Sequence, residues 1–172
     1  MGLFAKIFTR TSYPLRDIEA IVAVAATESA GFCHNYIGTE HVLCALIQTS
    51  DTELIRINTL FGLRIDYVRD SVRDVVGRGL DLESKKLRPR TPRLRRVLQL
   101  AEKIGRSSKN FTPPQLLFLG ILQDGGGVAI RALTLLSVNL TRLRQELEVA
   151  NNSTDPTLAS STPDAGHQSR HR

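Results

Sequence analysis

The sequence predicts an all-α fold, a compact eight-helix pseudo-twofold bundle made of two four-helix repeats. Three observations predict it. Apolar residues recur at helical spacing between well-placed starts and stops. The chain matches itself at a fixed offset. Its apolar content is aliphatic: of 172 residues 41% are hydrophobic but only 5% aromatic, with no Trp, which suits helices packed through Leu, Ile, Val and Ala better than strands.

The first helix spans Leu15 to Ser29, where Ile18, Ile21, Val22 and Ala25 share a face and Gly31 stops it. Thr39 is the expected N-cap of the second, ahead of Val42, Leu43, Leu46 and Ile47. A third covers about Thr52 to Phe61 and closes at Gly62; a fourth covers Ile65 to Val76 before Gly77. Thr91-Pro92 opens the fifth, with cap and proline in their preferred places. Thr112-Pro113-Pro114-Gln115 has capping-box spacing and opens the sixth. Gly125, Gly126 and Gly127 form the turn into the seventh, and Asn139 precedes the eighth.

At an offset of 75, residues 39–72 run without a gap onto 114–147. Identities fall at Gln48/Gln123, Ile55/Ile130, Arg56/Arg131, Thr59/Thr134, Leu60/Leu135 and Arg69/Arg144. Apolar positions also match, among them Leu43 with Phe118, Leu46 with Ile121, Ile47 with Leu122, Leu63 with Val138, Ile65 with Leu140, Val68 with Leu143 and Val72 with Leu147. The buried faces therefore repeat, and not merely the letters. At an offset of 76, Ile21, Val22 and Ala25 meet Val97, Leu98 and Ala101. These patterns divide the chain into an N-terminal arm (1–13), a first repeat (14–79), a basic linker (80–90), a second repeat (91–150) and a tail (151–172). The tail, with Leu158 as its only large apolar side chain, is expected to be disordered.

Composition excludes several classes. The longest apolar runs, Ala20–Ala26 and Leu116–Leu122, have seven residues each, far short of the roughly 18 a membrane helix needs. Two cysteines, Cys33 and Cys44, cannot make a disulfide framework. No signal-peptide pattern is seen, so the expected location is cytoplasmic, away from membranes. None of the five lysines follows a glycine, which excludes a P-loop and leaves the chain without a nucleotide site or expected cofactor. The net charge of +6 permits an acidic partner without naming one.

His34-Asn35-Tyr36-Ile37-Gly38-Thr39-Glu40-His41, Val76-Gly77-Arg78-Gly79, and Thr91-Pro92-Arg93 ahead of Val97-Leu98-Gln99-Leu100-Ala101 together resemble the Clp N-terminal (Clp repeat) domain. The likeness is strongest to the N-domain of ClpC-type unfoldases and covers about residues 14–149, without the AAA+ modules. It implies an all-helical double repeat that docks substrates and adaptor proteins above an ATPase ring. It also implies a pocket per repeat for a phosphorylated arginine, in which an acid acts with a threonine near the start of the repeat's first helix. Carried over by position, the acid is Glu40 beside Thr39 in the first repeat, where Leu15 replaces the threonine. In the second repeat the threonine is Thr91, and Gln115 or Pro114 replaces the acid, so neither pocket is complete.

Other clusters give rival readings. Cys33, His34, His41 and Cys44 invite a metal test, since His41 and Cys44 are i, i+3 on one helix, but the adjacent Cys33-His34 pair lacks ligand spacing. A thiol nucleophile at Cys33 would have only Glu40 nearby to orient a histidine, so no catalytic residue or metal ligand is assigned. Lys85, Lys86, Arg88, Arg90, Arg93, Arg95 and Arg96 form a basic run whose last three members oppose the dipole of the helix they open. An anion there would relieve the conflict, which supports an alternative as a nucleic-acid or polyanion binder through residues 85–96. The favoured reading is non-enzymatic: a protein-binding module whose partners are Clp-type AAA+ unfoldase or protease subunits, substrates or adaptors. The run lacks interleaved aromatics, so nucleic acid is the lesser reading. Glu40, placed at the surface near unpaired helix N–H groups, is the residue expected to meet an arginine side chain.

Overall fold

In a computed structural model, which describes residues 13–80, 87–108 and 110–152, the chain forms eight helices in two groups of four. They are α1 (Tyr13–Gly31), α2 (Thr39–Ile47), α3 (Thr52–Leu60), α4 (Ile65–Val76), α5 (Pro92–Ser107), α6 (Pro113–Asp124), α7 (Gly127–Leu135) and α8 (Leu140–Asn152). The 75-residue offset is visible in the boundaries. α3 and α7 match end to end, and α4 and α8 start 75 residues apart. The turns between them carry the left-handed residues Gly62 (φ 63°) and Ser137 (φ 57°) at equivalent places.

Packing follows the same exchange. α1 lies against α2 and α6, as α5 lies against α6 and α2; α4 packs on α7, as α8 packs on α3. That reciprocity is what a pseudo-twofold bundle requires. α2 and α6 run through the middle. Leu43, Leu46, Phe118 and Ile121 are fully buried there, flanked by the pairs Val68/Leu143 and Val72/Leu147. Each such side chain contributes about 1.5–3 kcal/mol by leaving water. At offset 76 Ala25 and Ala101 are both buried, whereas Val22 is buried and its counterpart Leu98 only partly so.

Local chemistry explains most helix starts. Asp51 accepts from Leu54 N at 2.9 Å, Thr91 from Leu94 N at 3.1 Å, and Asn139 from Arg142 N at 2.9 Å. Thr112 and Gln115 close a reciprocal box, with Thr112 N donating to Gln115 Oε1 at 3.1 Å. One expected start is displaced: the N-cap of α2 is Gly38, and Thr39 is already the first helical residue. Among the described residues there is no strand, in keeping with the all-α expectation, and the nearest approach to one is a single bridge. Ile37 and Arg90 form an isolated parallel bridge, with Ile37 N donating to Pro89 O at 2.8 Å and Thr91 N to Ile37 O at 2.9 Å.

Among the described residues no single helix is long and apolar enough to cross a membrane. The pair α6 and α7 would pass only jointly, and it bends by 90°. All of the N-terminal arm but Tyr13, together with Lys85, Lys86 and nearly all of the tail, lies outside the described residues.

Candidate functional site

The turn into α2 is built from the HNYIGTEH segment, and each residue there has a physical task. Gly38 has no side chain to cap with, so two later residues cap for it. His41 turns back, and its Nδ1 accepts the Gly38 N–H at 2.9 Å, an imidazole in the place a capping box usually gives to Glu or Gln. Glu40 folds its carboxylate over the helix start, where its own N–H and the nearby Thr39 and Tyr36 hydroxyls favour its ionised form. A Cβ on Gly38 would lie 2.4 Å from Glu40 Oε1, which is why glycine occupies the position.

Because His41 Nδ1 accepts, its proton sits on Nε2, which donates to His34 Nδ1 at 2.9 Å. The proton of His34 is then on Nε2, and the Gly77 backbone favours the protonated ring against the pull of burial. Burial holds His41 down at about 3, with repulsion from His34, whenever that ring is protonated, and from Arg88 adding to it, and burial also pulls His34 below the usual imidazole range. Both rings are neutral. They stack among Phe32 and Tyr36, the Phe32–His34 and His34–Tyr36 centroids being 5.6 and 5.1 Å apart.

The same segment ties distant parts of the chain together. Gly79 N donates to Phe32 O at 2.9 Å, and a Cβ on Gly79 would come within 2.0 Å of Cys33 O. Arg88 Nε donates to His34 O at 2.7 Å. The VGRG motif and the end of the linker are thus packed against the first repeat, and Arg88 is buried rather than part of a solvated run.

Among the described residues the cluster of possible metal-binding side chains is His34, Glu40 and His41, without Cys33 or Cys44; their ligand atoms lie within 4.8 Å of one another. The accepting imidazole nitrogens are already engaged, His41 Nδ1 by the Gly38 N–H and His34 Nδ1 by His41, which leaves no lone pair directed at an ion. Cys44 is pushed up to about 12, mainly by burial, a thiol rather than a nucleophilic thiolate at neutral pH.

The expectation that Glu40 sits at the surface is corrected: it is 3% exposed. Burial raises its carboxyl above the ordinary range, and the neighbouring polar groups offset this only in part. The pairing of candidates within each repeat is corrected as well. α5 and α6 run antiparallel, since Asp124 at the end of α6 meets Arg93 at the start of α5. Gln115, nine residues before Asp124, is about 14 Å away along the α6 axis, at the other end of the hairpin from Thr91. Thr91 instead adjoins the turn into α2 through its bond to Ile37 O. Glycines bring Thr39 to the same place: a Cβ on Gly127 would meet Arg93 Cδ at 2.5 Å and Thr39 Oγ1 at 3.4 Å. The structure therefore gathers Thr39, Glu40 and Thr91 across the repeats and leaves Gln115 apart.

Beside Thr91 a cavity of about 450 Å³ is lined by Thr91, Pro92, Arg93, Arg96 and Asp124. The Asp124 side chain is 1% exposed, and both arginines pair with it; Arg96 Nε stands 3.2 Å from Oδ1, as an ionic contact without hydrogen-bond alignment. This acid, missed in the sequence, answers the conflict between Arg93, Arg96 and the α5 dipole. Its signal was an aspartate at a helix C-terminus, where the dipole disfavours it unless cations are near. Arg90 likewise pairs with Glu19.

A double four-helix repeat with this turn defines a domain class, the N-terminal domain of Clp-type ATPases. The chain belongs to the Clp repeat (R) N-terminal domain family, whose model matches residues 16–112. It is 31% identical over 133 residues to the negative regulator of genetic competence ClpC/MecB of Bacillus subtilis (strain 168), covering 75% of this chain and 16% of that one. It is 30% identical over 141 residues to the chloroplastic chaperone protein ClpC of Pisum sativum, covering 81% of this chain and 15% of that one. The chain thus spans about a sixth of the curated relatives it matches. In fold it is similar to the N-terminal domain of the caseinolytic protease associated chaperone ClpD from Arabidopsis thaliana, with a TM-score of 0.64 and 18% identity, covering 87% of this chain and 99% of that one.

Proposed function

We propose that the chain is a non-enzymatic protein-binding module that docks substrates or adaptors for a Clp-type ATP-dependent unfoldase or protease, or modulates one, in the cytoplasm. Its family membership carries this reading, because the matched relatives are ATP-binding Clp subunits and chaperones and the match falls on their N-terminal repeat domain. Within it we place two repeats, 14–79 and 91–150, joined by the basic linker 80–90. Thr91 lines the Arg93–Asp124 cavity, and we assign protein contacts to that face, with Thr39 buried close to it and Gln115 at the opposite end. Glu40 acts by shaping the turn under it. Two buried, unpaired cysteines suit a reducing compartment.

The polyanion reading loses ground on specific contacts. Arg88, Arg90, Arg93 and Arg96 all have partners inside the chain. The deciding experiment is capture of a purified Clp-type unfoldase on the immobilised chain, followed by ATP-dependent degradation of an unfolded substrate with and without it. Capture with a changed degradation rate is expected. Neither capture nor a rate change at saturating concentration would overturn the proposal.

A further inference from the structure

Position 58 is where the two repeats part company. Asn58 in α3 corresponds at the 75-residue offset to Leu133 in α7, which is fully buried and apolar. Asn58 is only 6% exposed, and its Oδ1 is shut from solvent without a hydrogen-bond partner. A buried amide oxygen left so is costly, and the neighbouring repeat shows that a leucine serves the same position. The orphan acceptor is thus a departure made in one repeat only.

Asn58 lines a groove of about 550 Å³ between the end of α2, α3 and the start of α4. Its other walls are mostly aliphatic, from Ile47, Ile55, Leu63 and Ile65, and Ile55 is 49% exposed at the rim. The rim charges Arg64 and Asp66 neutralise each other at 2.9 Å, so the groove offers no net charge to a ligand. Elsewhere in the lining, Thr59 already donates its hydroxyl to Ile55 O at 2.8 Å. The unused acceptor is therefore Asn58 Oδ1, closed off in this rotamer and brought to the groove by a turn about the soft χ2 torsion of the amide.

From this we infer that the groove binds an extended aliphatic polypeptide segment, with Asn58 pairing a backbone amide of the ligand. An amide is the natural complement of a peptide unit, donor to acceptor and acceptor to donor, and aliphatic walls take the flanking side chains. Recognition through the backbone is tolerant of sequence, which fits a ligand presented as unfolded chain. The inference rests on the protein-binding reading above and names the ligand class for one of its surfaces.

The test uses the full chain and a fluorescent nine-residue peptide rich in Val and Leu, alongside the same peptide N-methylated at its central amides. Wild type is expected to bind the parent peptide and to lose roughly three- to tenfold in affinity on N-methylation. Asn58→Leu should bind the parent more weakly by a similar factor, show no further loss on N-methylation, and melt at or above the wild-type temperature. Asn58→Asp, which keeps the acceptor, should keep the N-methylation penalty. Absence of peptide binding by wild type, or an equal N-methylation penalty in wild type and Asn58→Leu, would overturn the inference. Unfoldase capture is measured on the same samples. Capture with failed peptide binding would sink the groove alone, and peptide binding without capture would sink the proposed partner.

Discussion

His34 Nδ1 and His41 Nε2 lie 2.9 Å apart in the interior, and the bond between them fixes both tautomers because Gly38 N–H occupies the other nitrogen of His41. The two rings join the start of α2 to the turn that follows α1. They do so only while neutral, since a second proton on His41 would put an N–H against the Gly38 N–H.

Stability should therefore fall as pH drops. Both histidines have folded-state values below the unfolded one, so the unfolded chain takes up protons first; their contribution is complete above about pH 6.5 and is lost progressively toward about pH 3. By pH 4.5 the loss from His41 is on the order of 2 kcal/mol. Glu40, raised in the folded state, works against this: its protonation favours the fold as pH falls toward its unfolded value. Urea titrations from pH 7 to 4.5 should show a declining midpoint, and a steeper decline in Glu40→Gln. A flat profile in both would contradict the neutral relay.

Glycine substitutions should rank by what a Cβ would meet. Gly79→Ala drives a methyl into the Cys33 carbonyl and should cost about 1–3 kcal/mol, whereas Gly31→Ala, with nothing within 4 Å, should be near neutral. Gly38→Ala should fall between, because the clash is with the movable Glu40 carboxylate. Thermal unfolding of the three variants checks the order.

Removing the Thr91 cap by Thr91→Ala should cost about 1 kcal/mol, since its hydroxyl holds Leu94 N. Thr91→Ser should restore most of it. Equal melting temperatures for all three proteins would show the cap to be idle.

Asp124→Asn should lower stability and release Arg93 and Arg96 from their buried counter-charge. Retention on immobilised heparin is then expected at higher salt than for wild type. If wild type already binds as tightly as the variant, the arginines are free for polyanions and the internal pairing has been overvalued.

The helices, their order and the twofold repeat were legible in the sequence because they rest on local rules: apolar spacing, Thr-Pro and capping-box starts, and glycine stops act within a few residues of where they are written. The offset of 75 carried those rules into architecture, since matching apolar faces can only be buried together. What the tertiary structure decided is every property that depends on a partner far along the chain. Glu40 at a helix start is buried in the packed fold, Thr91 meets the turn into α2 and not Gln115, and Asp124 takes two arginines from a helix about thirty residues back. Burial and charge compensation are sums over neighbours in space, and a one-dimensional pattern does not contain those neighbours. Asn58 shows the limit most plainly: its letter differs from Leu133 in plain view, but only the packed structure leaves its oxygen without a donor.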